Sequence, residues 1–392
     1  MWLSTMCNKA QRKHGALVAL CLFLLSGCAE KEISAPALPN INHFIVDSIF
    51  LPITDTDRPK GRIKEVGRGK YAPKELIAFL RYDNHKLYFY DVGNALYLDS
   101  ISLEQYRNQY PDFDPVGIDS VYVGLESNKI VSIFNDKTKE WDVSSVTRMI
   151  GSTVYIASLS AYPLAAFNDT IICATTTSER KTKVGPNIPF IKSNYDISFV
   201  ISGDSIKSIA KYNPNPQYFL TQDYNASIER LYLNSQEIVY NFDCSDTLQL
   251  YNVFSGKTKT VKLKTNNFYA NSPYNYDSGA SMDYLTTYSM GNSRLGRGSL
   301  YYDNSRHRLY QLMQHRGTYR DKDGTKHDFT ELPKSLFVLD DRLNQLMEIY
   351  IPPNTFSSKF FSFITHKGLY FAAHPSKQKY RDRMLFYRIV VP

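Results

Sequence analysis

The chain is predicted to be all-β, and three features of its 392 residues carry that expectation. From His43 onward it holds short runs rich in Val, Ile, Tyr and Phe, among them "KLYFYDV", "DSVYVGL", "KIVSIFND", "DISFVIS", "EIVYNFD" and "MLFYRIVV". β-Branched and aromatic side chains suit a pleated surface, and the Asn, Asp, Gly and Ser between the runs supply turns. No long amphipathic helical period occurs; the helix candidates are short, at Leu103 to Arg107 and near Ser227. Third, a polar turn followed by an apolar strand recurs in "YDNHKLYFYD", "LESNKIVSIF", "AFNDTIICA", "LNSQEIVYNF", "YDNSRHRLYQL" and "ITHKGLYFAA".

A turn–strand unit returning at roughly 40 to 70 residues is the signature of a β-propeller with variable loops. Radially packed blades cover one another's faces and leave only short edges. The spacing predicts six or seven blades, with tandem β-sandwiches as the alternative. The strand in "HFIVDSIFLP" is placed beside the C-terminal "MLFYRIVV", where it completes the last blade. Residues 43–392 are thus expected to form a single propeller domain.

What precedes that domain reads as targeting. Lys9, Arg12 and Lys13 form a positive stretch, followed by the apolar run Ala16 to Leu25. That run is shorter than the roughly 20 residues a membrane span needs and fits a secretory signal over residues 1–27. Residues 28–42, "CAEKEISAPALPNIN", contain two prolines and few large apolar residues and read as a tether. The stretch Leu25-Ser26-Gly27-Cys28 resembles the lipobox of bacterial lipoproteins. The resemblance implies cleavage before Cys28 and lipid on its thiol; an ordinary signal peptide with a coincidental Cys is the other reading. Lipobox and strand texture together resemble the propeller-like lipoproteins that Bacteroidetes-type bacteria encode. This implies an outer-membrane or periplasmic location, with the membrane as partner through a lipid anchor, and no particular activity. Glu30 and Glu32, just after Cys28, resemble in part a surface-export signal.

The net charge of +8 falls to +5 without residues 1–27, which hold three bases and no acid. The bases are dispersed; the longest cluster noted, "ERKTK" at Glu179 to Lys183, reads as a solvated loop. That pattern and the exported location point away from nucleic acid. Cys173 and Cys244 remain beside Cys28, and both a bridge and two free thiols fit their apolar surroundings. No Cys-x-x-Cys occurs.

Asp followed by Ser or Thr and an aliphatic residue occurs six times, at Asp47, Asp99, Asp119, Asp169, Asp204 and Asp246. The triplet resembles the acceptor of the O-glycosylation system of the same bacterial group, which implies Ser48, Ser100, Ser120, Thr170, Ser205 and Thr247 as acceptors. Turn chemistry is the competing reading, because Asp, Ser and Thr bond to nearby backbone and an aliphatic residue opens the next strand. "RDKDGTKHD", Arg320 to Asp328, places three carboxylates near one another but lacks the remaining ligands of a calcium loop. Its Asp-Gly predicts a hairpin instead. His307 and His315 are eight residues apart, as are His366 and His374, too far along a strand for a shared metal. No metal and no cofactor is expected. Carboxylate pairs such as Asp112/Asp114, read as part of a Pro-bounded loop, and Asp340/Asp341 carry no mark of catalysis. No nucleophile elbow, phosphate loop or dinucleotide fingerprint is present.

The segment Asn266 to Gly298 is long, weakly periodic and rich in Tyr, Asn and Ser. Its Tyr269, Tyr274, Tyr276, Tyr284 and Tyr288, with Arg294 and Arg297, form the candidate binding loop, since Tyr combines contact area with a polar tip. Packing of those tyrosines on their own blade is the alternative. The expected function is an interaction module for an envelope protein, peptide or glycan. An envelope hydrolase or lyase with its site in the propeller funnel is the alternative, and the missing acid–base constellation weighs against an enzyme.

Overall fold

The computed structural model describes residues 38–53, 63–67, 75–81, 84–107, 112–125, 129–142, 164–167, 170–176, 196–202, 205–212, 228–242, 245–267, 290, 293, 299–357 and 362–392. They form an all-β propeller. The described strands make six four-stranded antiparallel sheets, each built from consecutive strands except the last. The first holds β2 (Ile63–Glu65), β3 (Leu76–Arg81), β4 (Lys86–Asp91) and β5 (Leu96–Ser102). The second holds β6 (Asp112–Gly117), β7 (Ser120–Leu125), β8 (Lys129–Phe134) and β9 (Lys137–Asp142). The third holds β10 (Leu164–Phe167), β11 (Thr170–Thr176), β12 (Asp196–Ser202) and β13 (Ser205–Tyr212). The fourth holds β14 (Ile228–Tyr232), β15 (Glu237–Phe242), β16 (Thr247–Asn252) and β17 (Thr258–Lys262). The fifth holds β18 (Leu300–Asp303), β19 (Arg308–Gln314), β20 (Lys334–Asp340) and β21 (Gln345–Ile351).

The sixth sheet closes the ring. It is β22 (Ser362–Thr365), β23 (Gly368–Ala372) and β24 (Met384–Ile389), with β1 (Ile45–Leu51) as its outer strand. β1 pairs antiparallel with β24 from Ile45↔Ile389 to Leu51↔Met384, the pairing the sequence suggests. Opening the ring therefore requires breaking a strand ladder that joins the two ends of the fold.

First strands touch one another around the centre: β10 meets β6, β6 meets β2, β2 meets β22, β22 meets β18 and β18 meets β14. Phe167 on β10 and Tyr232 on β14, with ring centroids 6.3 Å apart, complete the circle. The core is the set of layers between adjacent sheets. Phe89, Leu87, Phe113 and Val123 fill the space between the first and second, and Phe79, Tyr370, Phe363 and Phe386 that between the sixth and first. A fully buried Phe of this kind contributes about 1.5–3 kcal/mol through its lost apolar surface.

Connectivity gives the propeller two unlike ends. In the second to sixth sheets the first and second strands, and in the first five sheets the third and fourth, are joined by short turns at one end, the hairpin end. Asn135 and Asp136 both take positive φ (47° and 61°), which matches the right-handed twist of the flanking β8 and β9. The links between second and third strands, and between successive sheets, leave from the opposite end, the loop end. Two expectations are corrected. Glu104–Tyr106 is a single 3-10 turn, and although Ser227 lies outside the described residues, the chain directly after it is strand β14. Asp112 and Asp114 do not sit in a loop; they lie on strand β6, the innermost of its sheet.

Candidate functional site

Strand alternation forces polar side chains onto first strands that are buried on both faces, and each needs a partner there. Neighbouring first strands supply them. Asp112 accepts from the backbone N–H of Leu164, and Asp114 from that of Ala166 at 2.7 Å, so β6 caps donors of β10. Lys64 on β2 sits 2.8 Å from Asp112, with both side chains only 9% exposed, and also donates to the Phe113 carbonyl. Glu229 on β14 accepts from the N–H and hydroxyl of Ser299, at 3.0 and 3.1 Å, just before β18. Glu75, leading into β3, accepts from Thr365, Lys367 and Tyr370 of the sixth sheet at 2.8, 2.7 and 2.5 Å. Burial pushes the Glu75 carboxyl up, but the hydrogen bonds from Lys367, Tyr370 and Thr365 outweigh it and hold the pKa below the ordinary carboxylate value. These buried charges act as latches between sheets.

A second polar cluster lies at the loop end of the fifth sheet. His315 Nε2 is 2.7 Å from Ser335 Oγ, which donates to Glu348 Oε1 at 2.6 Å. The same oxygen accepts from Thr265 Oγ1 at 3.0 Å and Asn267 Nδ2 at 3.1 Å. Since the Ser335 proton goes to Glu348, the imidazole donates to Ser335 through Nε2–H. Burial pulls the His315 pKa down, which keeps the ring neutral. Ser335 is fully buried, so its hydroxyl positions neighbours and is not offered to a substrate. Next to it, burial lowers the Lys334 ammonium to about 8, and it donates to the carbonyls of Leu332 and Phe329. This cluster roots the Tyr-rich segment: Thr265 and Asn267 hold its start to Glu348, Ser293 donates to the Asn267 carbonyl, and Gly317 N–H donates to Met290 O.

Two further loops project from the same end. The stretch Arg320 to Asp328 is a hairpin, with Arg320 bridging Lys326 and Gly324 at φ +90°. His327 reaches Asp321 through Nε2 (2.9 Å) and Glu331 through Nδ1 (2.7 Å), and these hydrogen bonds raise its pKa. The carboxylates occupy opposite edges of one imidazole, a latch geometry and not a shared coordination sphere. The link between β23 and β24 carries Lys377, Lys379, Arg381 and Arg383, all exposed, against one acid, Asp382. Gln378 pins this loop to its base, with its amide donating to Ala373 O (2.9 Å) and accepting from Leu385 N–H (2.8 Å). Tyr380, 51% exposed, rests edge-on against Phe50 of β1 at 5.2 Å, with the Arg383 guanidinium over its ring at 5.3 Å.

The sequence-predicted site residues fall unevenly on this frame. Cys28, the seven residues of the candidate binding loop (Tyr269, Tyr274, Tyr276, Tyr284, Tyr288, Arg294 and Arg297) and Cys244 lie outside the described residues. Thr170 and Ser205 open β11 and β13, but their side chains are outside the described set, as is that of Cys173 on β11. Ser48 is exposed on β1, and Asp47 beside it is held by Arg388 through bonds of 2.9 and 2.6 Å. In three other triplets the Asp bonds the residue that follows it: Asp99 the N–H of Ser100, Asp119 the hydroxyl of Ser120, Asp246 the hydroxyl of Thr247. Ser120 is moreover buried. The basic loop escapes a search for uninterrupted charge because its bases alternate with other residues; counting Lys and Arg in a seven-residue window finds "KQKYRDR".

No family model matches the chain, and no curated protein matches it. Among solved structures the chain is similar to a member of the DUF4221 family from Bacteroides vulgatus. The TM-score is 0.66 at 14% identity, over 88% of this chain and 97% of that one. At that identity the likeness speaks for the fold alone, and it agrees with the resemblance to Bacteroidetes-type propellers. A β-propeller domain from Myceliophteria thermophila (TM-score 0.40, 6% identity, 88% and 100% covered) and a luciferin-regenerating enzyme (0.41, 10%, 88% and 96%) align too loosely to carry an argument.

Proposed function

We propose that the chain is a lipid-anchored, six-bladed propeller of the bacterial cell envelope that acts as an interaction module for a protein, peptide or glycan. The six described sheets, the last completed by β1, support the count of six. The observation that carries the binding reading is how the inner charges are used. Lys64, Asp112, Asp114, Glu229 and Glu75 each bond a neighbouring sheet, so these buried charges join blades, while the Lys377–Arg383 loop presents exposed bases and the half-exposed Tyr380 at the loop end. Ser335, 2.7 Å from the His315 imidazole, is enclosed and already donates to Glu348, which gives the hydrolase alternative no foothold in this cluster.

The lipid anchor is proposed at Cys28 on the outer membrane, and O-glycosylation at Ser48, which among the described acceptors has an exposed side chain and no bond to its Asp. Intact mass of the detergent-extracted protein tests both. A chain beginning at Cys28 with added acyl mass supports the anchor; an unmodified mature terminus refutes it. A hexose-sized increment lost in Ser48→Ala supports the sugar, and the same mass in both proteins refutes it. Affinity capture from crosslinked cells tests the interaction module. A stoichiometric envelope partner that disappears when residues 268–289 are deleted supports it, and a partner retained by that deletion places binding elsewhere.

A further inference from the structure

We infer that the loop Lys377 to Arg383 is a docking surface for the anionic headgroups of a membrane, and that it sets which end of the propeller faces the bilayer. Among the described residues Lys377, Lys379 and Arg381 form no ion pair, although the Lys377 ammonium lies over the Tyr387 ring at 5.8 Å, while Arg383 is tied to Asp382 at 3.2 Å. The loop is rigid before it meets a partner, because Gln378 bonds both of its stems and the short 3-10 turn Pro375–Lys377 is capped by His374. Tyr380 stands between the bases, half exposed and braced by Phe50, in the manner of an amphipathic ring that settles at headgroup depth.

The chain's own entry point favours a membrane as the occupant. Tyr350 N–H donates to Pro39 O at 2.9 Å, and Asn40 bridges Tyr350, one residue from the loop end of β21. Pro39 is thereby held beside the fifth sheet, next to the sheet that bears the basic loop. From Cys28 to Pro39 the chain reaches at most about 38 Å. An anchor at Cys28, on which the orientation but not the loop's affinity rests, holds this rim near the bilayer. Bases that close to an anionic surface gain roughly fivefold in partitioning each.

The test uses the unlipidated mature chain with Cys28→Ser and vesicles of phosphatidylcholine with or without about 30% phosphatidylglycerol, an anionic surface on the scale that attracts polybasic segments. Cosedimentation is expected with the anionic vesicles alone, and weaker as salt shortens the screening length. Lys377→Gln/Lys379→Gln/Arg381→Gln is expected to lose tenfold or more in partitioning with an unchanged melting temperature. A charge-matched control at the hairpin end, Lys137→Gln/Lys257→Gln/Arg342→Gln, is expected to change it less than twofold. Equal binding to both vesicle types, equal loss in both variants, or displacement by inorganic phosphate, which would reveal a phosphate pocket, each overturns the inference. Because the protein carries no lipid in this assay, failure leaves the anchor at Cys28 to be judged by its own mass measurement.

Discussion

Replacing Lys64 by Met removes one half of a buried ion pair and leaves Asp112 enclosed, 9% exposed, without the ammonium 2.8 Å away. Desolvating a charge is costly, and removing one partner of a buried pair typically costs about 3–5 kcal/mol, whereas replacing both by well-packed apolar groups is close to neutral. Asp112 keeps the Leu164 N–H, which satisfies one lone pair and favours the lower half of that range. Unfolding entropy near 2.1 cal/mol/K per residue over the unit Pro39–Pro392 gives about 0.7 kcal/mol per degree, so the expected fall in Tm is roughly 4–5 °C. Calorimetry of Lys64→Met, Asp112→Leu and the double variant forms the cycle. The account expects each single variant to fall by several degrees and the double to recover most of the loss. A Lys64→Met protein within a degree of wild type, or a double variant whose losses simply add, would refute the latch argument.

Three further outcomes follow from the same geometry. Glu75 has a folded pKa held below its ordinary value, so its contribution is present above that value and fades as pH falls through the folded one; Glu75→Gln should flatten the acid limb of the stability profile, and an unchanged limb contradicts this. His327 has a raised folded pKa, so its latch is complete below the ordinary imidazole value and is lost as pH rises through the folded one; an NMR titration should place its midpoint above about 6.5, and Glu331→Gln should lower it. Gly368 has φ +151°, and an added Cβ would lie 2.6 Å from the Ile389 carbonyl oxygen, so Gly368→Ala should destabilise the β23–β24 pairing by about 1–3 kcal/mol in urea denaturation, with no change in midpoint counting against it.

The fold was legible where periodicity speaks directly. The runs at Lys86, Ser120, Lys129 and Glu237 are all strands, and the link from "HFIVDSIF" to "MLFYRIVV" could be read because one strand was left over at each end. The latches were not legible, since Asp112 and Asp114 in "PDFDPVG" have the composition of a turn. Only the arrival of β10 beside them, some fifty residues later, makes them strand residues that cap foreign N–H groups. Short-range patterns cannot carry that information. The same holds for Glu348, whose partners at Thr265 and Asn267 come from another sheet's exit. For Ser48 against Ser120, one triplet has two environments, and burial distinguishes them.

The account's central claim is that the loop end is the working surface of an envelope interaction module. Photo-crosslinking in living cells tests it, with the reactive residue placed at Lys322 on the loop end in one strain and at Lys257 on the hairpin end in another. The account predicts a single stoichiometric envelope product from the Lys322 position and none from Lys257. Equal products from both positions, or a product from Lys257 alone, would contradict it.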